Sequence, residues 1–276
     1  MKTFFVIASL TLFLAACGQS DEPAAVAAPE VAAPEVSETP MQSSAASGEL
    51  LVDYIWNNTA DDMTEAQMAG IIDGWNARID AGGYNMLGAN VLMPQFETDD
   101  YDLIWVVMWP SSEAREAGWA DWNANQVDDW SAELAGAMSY EPENVYTFKP
   151  TDGHDGMADI AVGGTFHPRF DFCAFNEGQD AASLAAFRAE YDAWLVEGES
   201  NNYGYYLMEP QFDLADADFV WLDLFGDEAA VEAGTASWSG SALEASWEAM
   251  ATCENFAFVA TCDQALVPRG LRFIKI

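Results

Sequence analysis

The run Tyr101-Asp102-Leu103-Ile104-Trp105-Val106-Val107-Met108-Trp109 and its later echo Asp218-Phe219-Val220-Trp221-Leu222-Asp223-Leu224-Phe225 decide the fold. Their length, β-branched content and aromatic content read as strands. In the first run Leu103, Trp105, Val107 and Trp109 share one face, and Ile104, Val106 and Met108 share the other. An antiparallel strand with one wet face alternates apolar and polar residues. This one does not, so both of its faces must be covered.

The two strands belong to a unit written twice. Pro94-Gln95-Phe96 recurs as Pro210-Gln211-Phe212. Glu116-Ala117-Gly118, Ala120 and Trp122 recur as Glu232-Ala233-Gly234, Ala236 and Trp238. Asp53 and Asn58 align with Asp171 and Asn176, Trp75 aligns with Trp194 across a gap, and Glu143-Asn144 aligns with Glu254-Asn255. Self-similarity in preserved order marks a tandem repeat. The first unit is placed at 49–150, a connection at 151–169, and the second unit, with a C-terminal strand from Leu271, at 170–276.

Each unit reads strand, helix, strand, strand, helix, strand. Val52, Tyr54 and Trp56 alternate on the first strand. Thr64 with Gln67 forms a capping box that opens a helix. Met68, Ile71, Ile72, Trp75 and Ile79 line one helical face, and Gly82-Gly83 ends it. The acidic turn Glu97–Asp100 joins the middle strands. A βαββαβ unit folds as an antiparallel four-stranded sheet with both helices on one face. The expected class is therefore α+β: two tandem ferredoxin-like units packed sheet to sheet, each covering the other's second face.

That arrangement resembles the dimeric α/β-barrel superfamily, in a single-chain version. The stretch from Trp105 through Ser111-Ser112-Glu113-Ala114-Arg115 to Trp119 and Trp122 is similar to NIPSNAP-type and monooxygenase-like members. The resemblance implies a monomer holding an internal pseudo-dimer, with a ligand cavity between sheet and helices or between sheets.

The N-terminus reads as an address. Lys2 precedes an apolar segment, Phe4–Leu14, too short to span a bilayer. Leu14-Ala15-Ala16-Cys17 resembles the lipobox of bacterial lipoproteins, which implies cleavage after 1–16 and a lipid on Cys17. Gly18, rather than Asp, follows the Cys, which implies an outer-membrane anchor facing the periplasm. Residues 18–48 are rich in Ala, Pro and Glu and read as an extended tether. At about 3.1 Å per residue it would reach on the order of 90 Å.

The 276 residues carry 9 Lys+Arg against 46 Asp+Glu, a formal net charge of −37. Such a surface repels phosphate backbones and anionic head groups, so nucleic-acid binding is excluded. An apolar fraction of 51% excludes a disordered acidic tail. The excess of carboxylates fits a saline setting.

Candidate site residues follow from the third strands. Asp223 shares a face with Trp221 and Phe225, where the first unit has Val107. A carboxylate between aromatics reads as a polar group set into an apolar wall. It needs hydrogen bonds or a partner such as Arg115 or Arg188. Trp105, Val107 and Trp109 join that wall if the sheets face one another, and Glu209 could converge on it across the hairpin. The same aromatics also read as plain core. His154 and His167, the only histidines, fall in the connection, and Asp152-Gly153-His154-Asp155-Gly156 reads as a solvated acidic loop. No metal site and no cofactor are expected. Of Cys173, Cys253 and Cys262, the last two stand on the order of 30 Å apart if 254–261 is extended. A disulfide would then involve Cys173; three buried thiols are the alternative.

No catalytic set is recognisable, so the sequence reads first as a non-catalytic lipoprotein that binds a small apolar ligand or a protein partner. A cofactor-independent monooxygenase- or isomerase-like enzyme with Asp223 as base is the alternative. A structural envelope protein is a third reading.

Overall fold

The computed structural model describes residues 50–158, 160–161, 164–197 and 202–261, with the backbone of Cys17–Gly18. The lipobox and tether, Cys262 and the C-terminal basic cluster at Arg269, Arg272 and Lys275 otherwise lie outside the described residues. Cys17–Gly18 runs parallel to Ile160–Ala161 as a two-residue ladder.

The first unit comprises β1 (Leu51–Thr59), α1 (Glu65–Gly82), β2 (Gly88–Pro94), β3 (Leu103–Trp109), α2 (Ser112–Asn125), α3 (Val127–Leu134) and β4 (Val145–His154). The second comprises β5 (Thr165–Phe175), α4 (Ala181–Glu197), β6 (Tyr203–Pro210), β7 (Phe219–Phe225), α5 (Glu228–Trp238), α6 (Ala242–Met250) and β8 (Ala251–Thr261). Local chemistry sets the boundaries. The Thr64 hydroxyl accepts from the Gln67 N–H while the Gln67 side chain accepts from the Thr64 N–H at 2.9 Å. Gly83, at φ 64°, supplies the left-handed residue that ends α1.

Hydrogen bonding runs β4-β1-β3-β2 in the first unit and β8-β5-β7-β6 in the second. The barrel that the resemblance implies is present, but its two sheets are not simply packed face to face. They join at their edges, β2 to β8 and β4 to β6, and close an eight-stranded antiparallel barrel. The far wall of the barrel covers the second face of each sheet, which is why β3 and β7 are apolar on both sides. The seams differ. Phe258–Pro94 and Val259–Met93 pair across β8–β2, whereas β4–β6 pairs from Phe148–Pro210 to His154–Tyr205 through a bulge.

Three cores result. The lumen is filled by Val52, Ile104, Val106, Val220, Leu222 and their neighbours. Outside the barrel, α1–α3 bury Trp75, Trp105, Trp122 and Trp130 against the first sheet. Helices α4–α6 bury Phe187, Tyr191, Tyr205 and Trp221 against the second. The segment expected as an acidic loop, 152–154, is instead the end of β4.

Pairing also corrects the repeat. Trp105 faces Ile55, and its counterpart Trp221 faces Asp171. Thr59 N–H donates to Asp102, and Phe175 N–H donates to Asp218. The first strands therefore correspond at the same offset as the third strands. The counterpart of Asp53 is Arg169, not Asp171, and that of Trp75 is Tyr191, not Trp194. Each of these aromatics packs on its unit's central tryptophan.

Candidate functional site

The outer face of each sheet meets its helices around one polar cluster, and the two clusters differ in kind. In the first unit Asp53, fully buried, accepts from Trp109 Nε1 (2.9 Å), Trp119 Nε1 (2.7 Å), Thr147 Oγ1 (2.6 Å) and Arg115 Nε (2.7 Å). Its lone pairs are fully engaged, and Trp119 closes the space above. A cavity of only about 50 Å³ remains.

In the second unit the strand position of Asp53 holds Arg169, and that of Val107 holds Asp223. The two pair directly across β5 and β7. Asp223, 3% exposed, accepts from Arg169 Nε at 2.9 Å and from Arg169 Nη2. It also accepts from Tyr203 Oη (2.5 Å) and Trp221 Nε1 (2.8 Å), and Tyr191 Oη donates to Tyr203 Oη at 2.9 Å. The arginine that satisfies Asp223 is thus Arg169, not Arg115 or Arg188. Arg115 serves Asp53, and Arg188 lies over the Tyr205 ring.

Where α2 carries Trp119, α5 carries Thr235, and Trp109 is replaced by Phe225. These smaller groups leave a cavity of about 400 Å³, walled by Phe187, Tyr191, Trp194, Trp221, Trp238 and Trp247 and floored by Arg169, Asp171 and Asp223. Gly234 lets α5 approach: a Cβ there would come within 2.9 Å of the Phe225 ring. Tyr205 stacks on Trp221 at 4.0 Å, which fixes the wall.

Asp171 is the polar group on this floor with the least commitment. It accepts from Asn255 Nδ2 at 2.6 Å and stands 3.8 Å from Arg169 Nε. Burial, then the charge of Asp223, push its carboxyl up to about 6, against the pull of Arg169 and Asn255. Burial beside Asp223 also pushes the Tyr203 phenol well above its usual range and raises that of Tyr191. Both stay protonated donors.

Of the residues singled out in the sequence, Trp221, Asp223 and Phe225 line this cavity. Trp105, Val107 and Trp109 lie in the other unit's core, under different helices. Glu209 is exposed on β6 opposite Lys149 and does not approach Asp223. The sequence alignment matches Asp171 to Asp53 and so passes over Arg169 and the place of Asp171 in the cavity; one constant offset across the first and third strands brings out both.

No known family model matches the chain, and no curated protein does. Solved structures do match. A protein assigned as a monooxygenase from Fusobacterium nucleatum superposes with TM-score 0.52 at 9% identity, over 83% of this chain and 99% of its own. A protein assigned as a chlorite dismutase gives 0.51 at 8%, over 79% and 96%. A chlorite dismutase variant from Candidatus Nitrospira defluvii gives 0.50 at 8%, over 82% and 97%. The shared property is the fold, a chlorite dismutase-like, monooxygenase-like α/β barrel.

The non-catalytic reading drawn from the sequence is corrected here. The neighbours that share this architecture over nearly their whole length are described as monooxygenases and chlorite dismutases, and the cavity holds a carboxyl with a raised pKa beside a cation. The fold class includes haem enzymes, but this donor set does not fit haem. Among the cavity-lining residues His154 is the one imidazole, and a Cβ on Gly156 would come within 2.8 Å of its Nε2. The lining tyrosines are held protonated, and the lining's one arginine, Arg169, stands between two carboxylates, Asp171 and Asp223, a balance that disfavours a pair of propionates.

Proposed function

We propose that the chain is a cofactor-independent, monooxygenase-like enzyme acting on a flat aromatic substrate in the second unit's cavity. The observation that carries this reading is the contrast between units. The same fold is plugged by Trp119 in one and opened by Thr235 in the other, above a floor of Asp171, Arg169 and Asp223.

Asp171 takes the role of general base. A carboxyl near pH 6 is ionised at neutral pH yet still basic enough to accept a proton from an activated C–H or O–H. Arg169, anchored by Asp223, stabilises the anion that forms. Asp223 is a positioning residue, since four donors occupy it. The electron-rich substrate anion is then oxidised by dioxygen. A methylene becomes a carbonyl, one oxygen atom enters the product, and the other leaves as water with the two protons removed. The aromatic walls orient the ring and exclude water.

The test is oxygen uptake by the full chain with polycyclic phenols that carry an activated methylene, with one carbonyl formed per dioxygen. Asp171→Asn should lower kcat by about a hundredfold. Thr235→Trp should abolish turnover by refilling the cavity. Retained turnover in Thr235→Trp would place the chemistry elsewhere.

An exported enzyme is part of the same proposal. The Cys173–Cys253 disulfide suits an oxidising compartment, and the lipobox-like run ending at Cys17 would tether it to the membrane. Cys17→Ala should move the protein from the membrane fraction to the soluble fraction; unchanged fractionation removes the anchor.

A further inference from the structure

The barrel lumen is not filled to its end. At the mouth formed by the starts of β4 and β8, the ends of β1 and β5, and the turns at 98–101 and 212–217, it opens into a cup of about 620 Å³. Strand alternation separates this cup from the cavity described above. Phe170 and Phe172 of β5 face the cup, while Arg169 and Asp171 of the same strand face the helices.

The cup is aromatic at its wall and acidic at its rim. Trp56 packs on Tyr101 (4.6 Å between centroids) and Tyr146 (4.8 Å), and Phe212 packs on Tyr146 at 5.3 Å. Phe172 and Phe256 meet edge to face at 5.7 Å on the opposite side. Above them Asp100, Asp216 and Glu254 line the opening, all three exposed, and among the described residues the lining contains no Lys, Arg or His. Glu254 stands on β8 on the lumen side, in register with Phe172. An apolar anion meets three carboxylates here, and a strongly polar ligand meets a wall made mostly of aromatic rings, with few polar groups to replace its water. An ammonium ion bearing an apolar body satisfies both parts: ring faces and carboxylates attract the cation, and the lumen takes the tail. A surface of net charge −37 concentrates cations at such an opening.

We infer that the barrel mouth is a second binding site, for organic ammonium ions that carry an apolar chain. It is independent of the catalytic reading. The test is calorimetric titration of the full chain with octyltrimethylammonium, 1-octanol and octanoate, each below its aggregation concentration. One ammonium ion should bind per chain, about tenfold tighter than octanol, and octanoate should not bind. Glu254→Gln should weaken the ammonium ion about fivefold and leave octanol unchanged. Ala174→Trp, an exposed cup residue, should abolish both, while Thr235→Trp in the other cavity should change neither. Saturable octanoate binding of equal strength would overturn the inference. So would equal weakening by Asp129→Asn, an exposed charge on α3, since diffuse charge would then explain the attraction.

Discussion

Asp171 and Asp223 are both buried aspartates on one sheet, and they behave as opposites because their partners differ. Asp223 is held by Arg169, Tyr203 and Trp221. Replacing it with the Val of the sister unit removes the acceptor from a buried phenol and indole and from a guanidinium. Asp223→Val should therefore destabilise by about 3 kcal/mol, measured by urea unfolding, although Val107 sits comfortably at the matching place. The first unit tolerates Val because the counterparts of Arg169 and Tyr203 there are Asp53 and Leu87, which leaves only the Trp105 indole, and its Nε1 has no hydrogen-bond partner among the described residues. Asp171 is the reverse case. Its folded pKa of about 6 lies above the ordinary 3.8, so between pH 4 and 6 the folded state keeps a proton that the unfolded chain has lost. Stability contributed through this group falls as pH rises across that window. Asp171→Asn should flatten the slope and add on the order of 1–3 kcal/mol at pH 7 while removing activity. A variant with an unchanged pH–stability curve would show that Asp171 titrates normally.

At the level of elements, β5 is the strand on which the second unit depends. It is central in its sheet, between β8 and β7, and Cys173 on it is bonded to Cys253 directly opposite on β8. The bridge spans 80 residues and encloses α4–α6 with their whole core. Chain-entropy reasoning assigns such a loop about 4 kcal/mol. The Cys173→Ala/Cys253→Ala pair should lower stability by about that amount in denaturant melts, and reductant should have no further effect on it. The sequence shows why any bridge would involve Cys173, because a strand read from 254 to 261 keeps Cys253 and Cys262 on the order of 30 Å apart. It also shows the strands, the capping box and the duplicated tryptophans, since periodicity and identity are local properties. Register is not local. The matching aspartates Asp53 and Asp171 drew the first strands two residues out of phase. That slip concealed the exchange of Asp53 for Arg169, the partner of the legible exchange of Val107 for Asp223, and the two together separate a sealed unit from an open one. The barrel itself entered through the resemblance to dimeric α/β barrels, but the edges that close it are not legible for the same reason: which edges pair is decided between units.

For the whole molecule, charge dominates. With 46 acidic and 9 basic residues, the folded chain works against its own repulsion, which compactness intensifies. The screening length shrinks from about 30 Å at 0.01 M salt to about 3 Å at 1 M. The melting temperature should rise on the order of 5 °C or more across that range. A flat or falling profile would show that the carboxylates are neutralised locally and that the excess charge has no global effect.

A closed barrel has no free strand edges to offer a neighbouring molecule, so it is guarded against edge-to-edge aggregation. Closure here, however, is a clasp with unequal fastenings. The β4–β6 join is long, and the chain itself runs from β4 into the second unit. Among the described residues the β2–β8 join consists of two paired positions, one of them Pro94, which has no N–H to give. Breathing of the native state should begin there, with the units swinging apart about β4 and β6. Amide exchange should mark it. The protons that bridge β2 and β8, among them Gln95 N–H to Ala257 O, should exchange well before those of β5, although both strands line the same wall. Because Phe256 and Phe258 stand beside that gap, each opening would also unlatch one side of the aromatic cup.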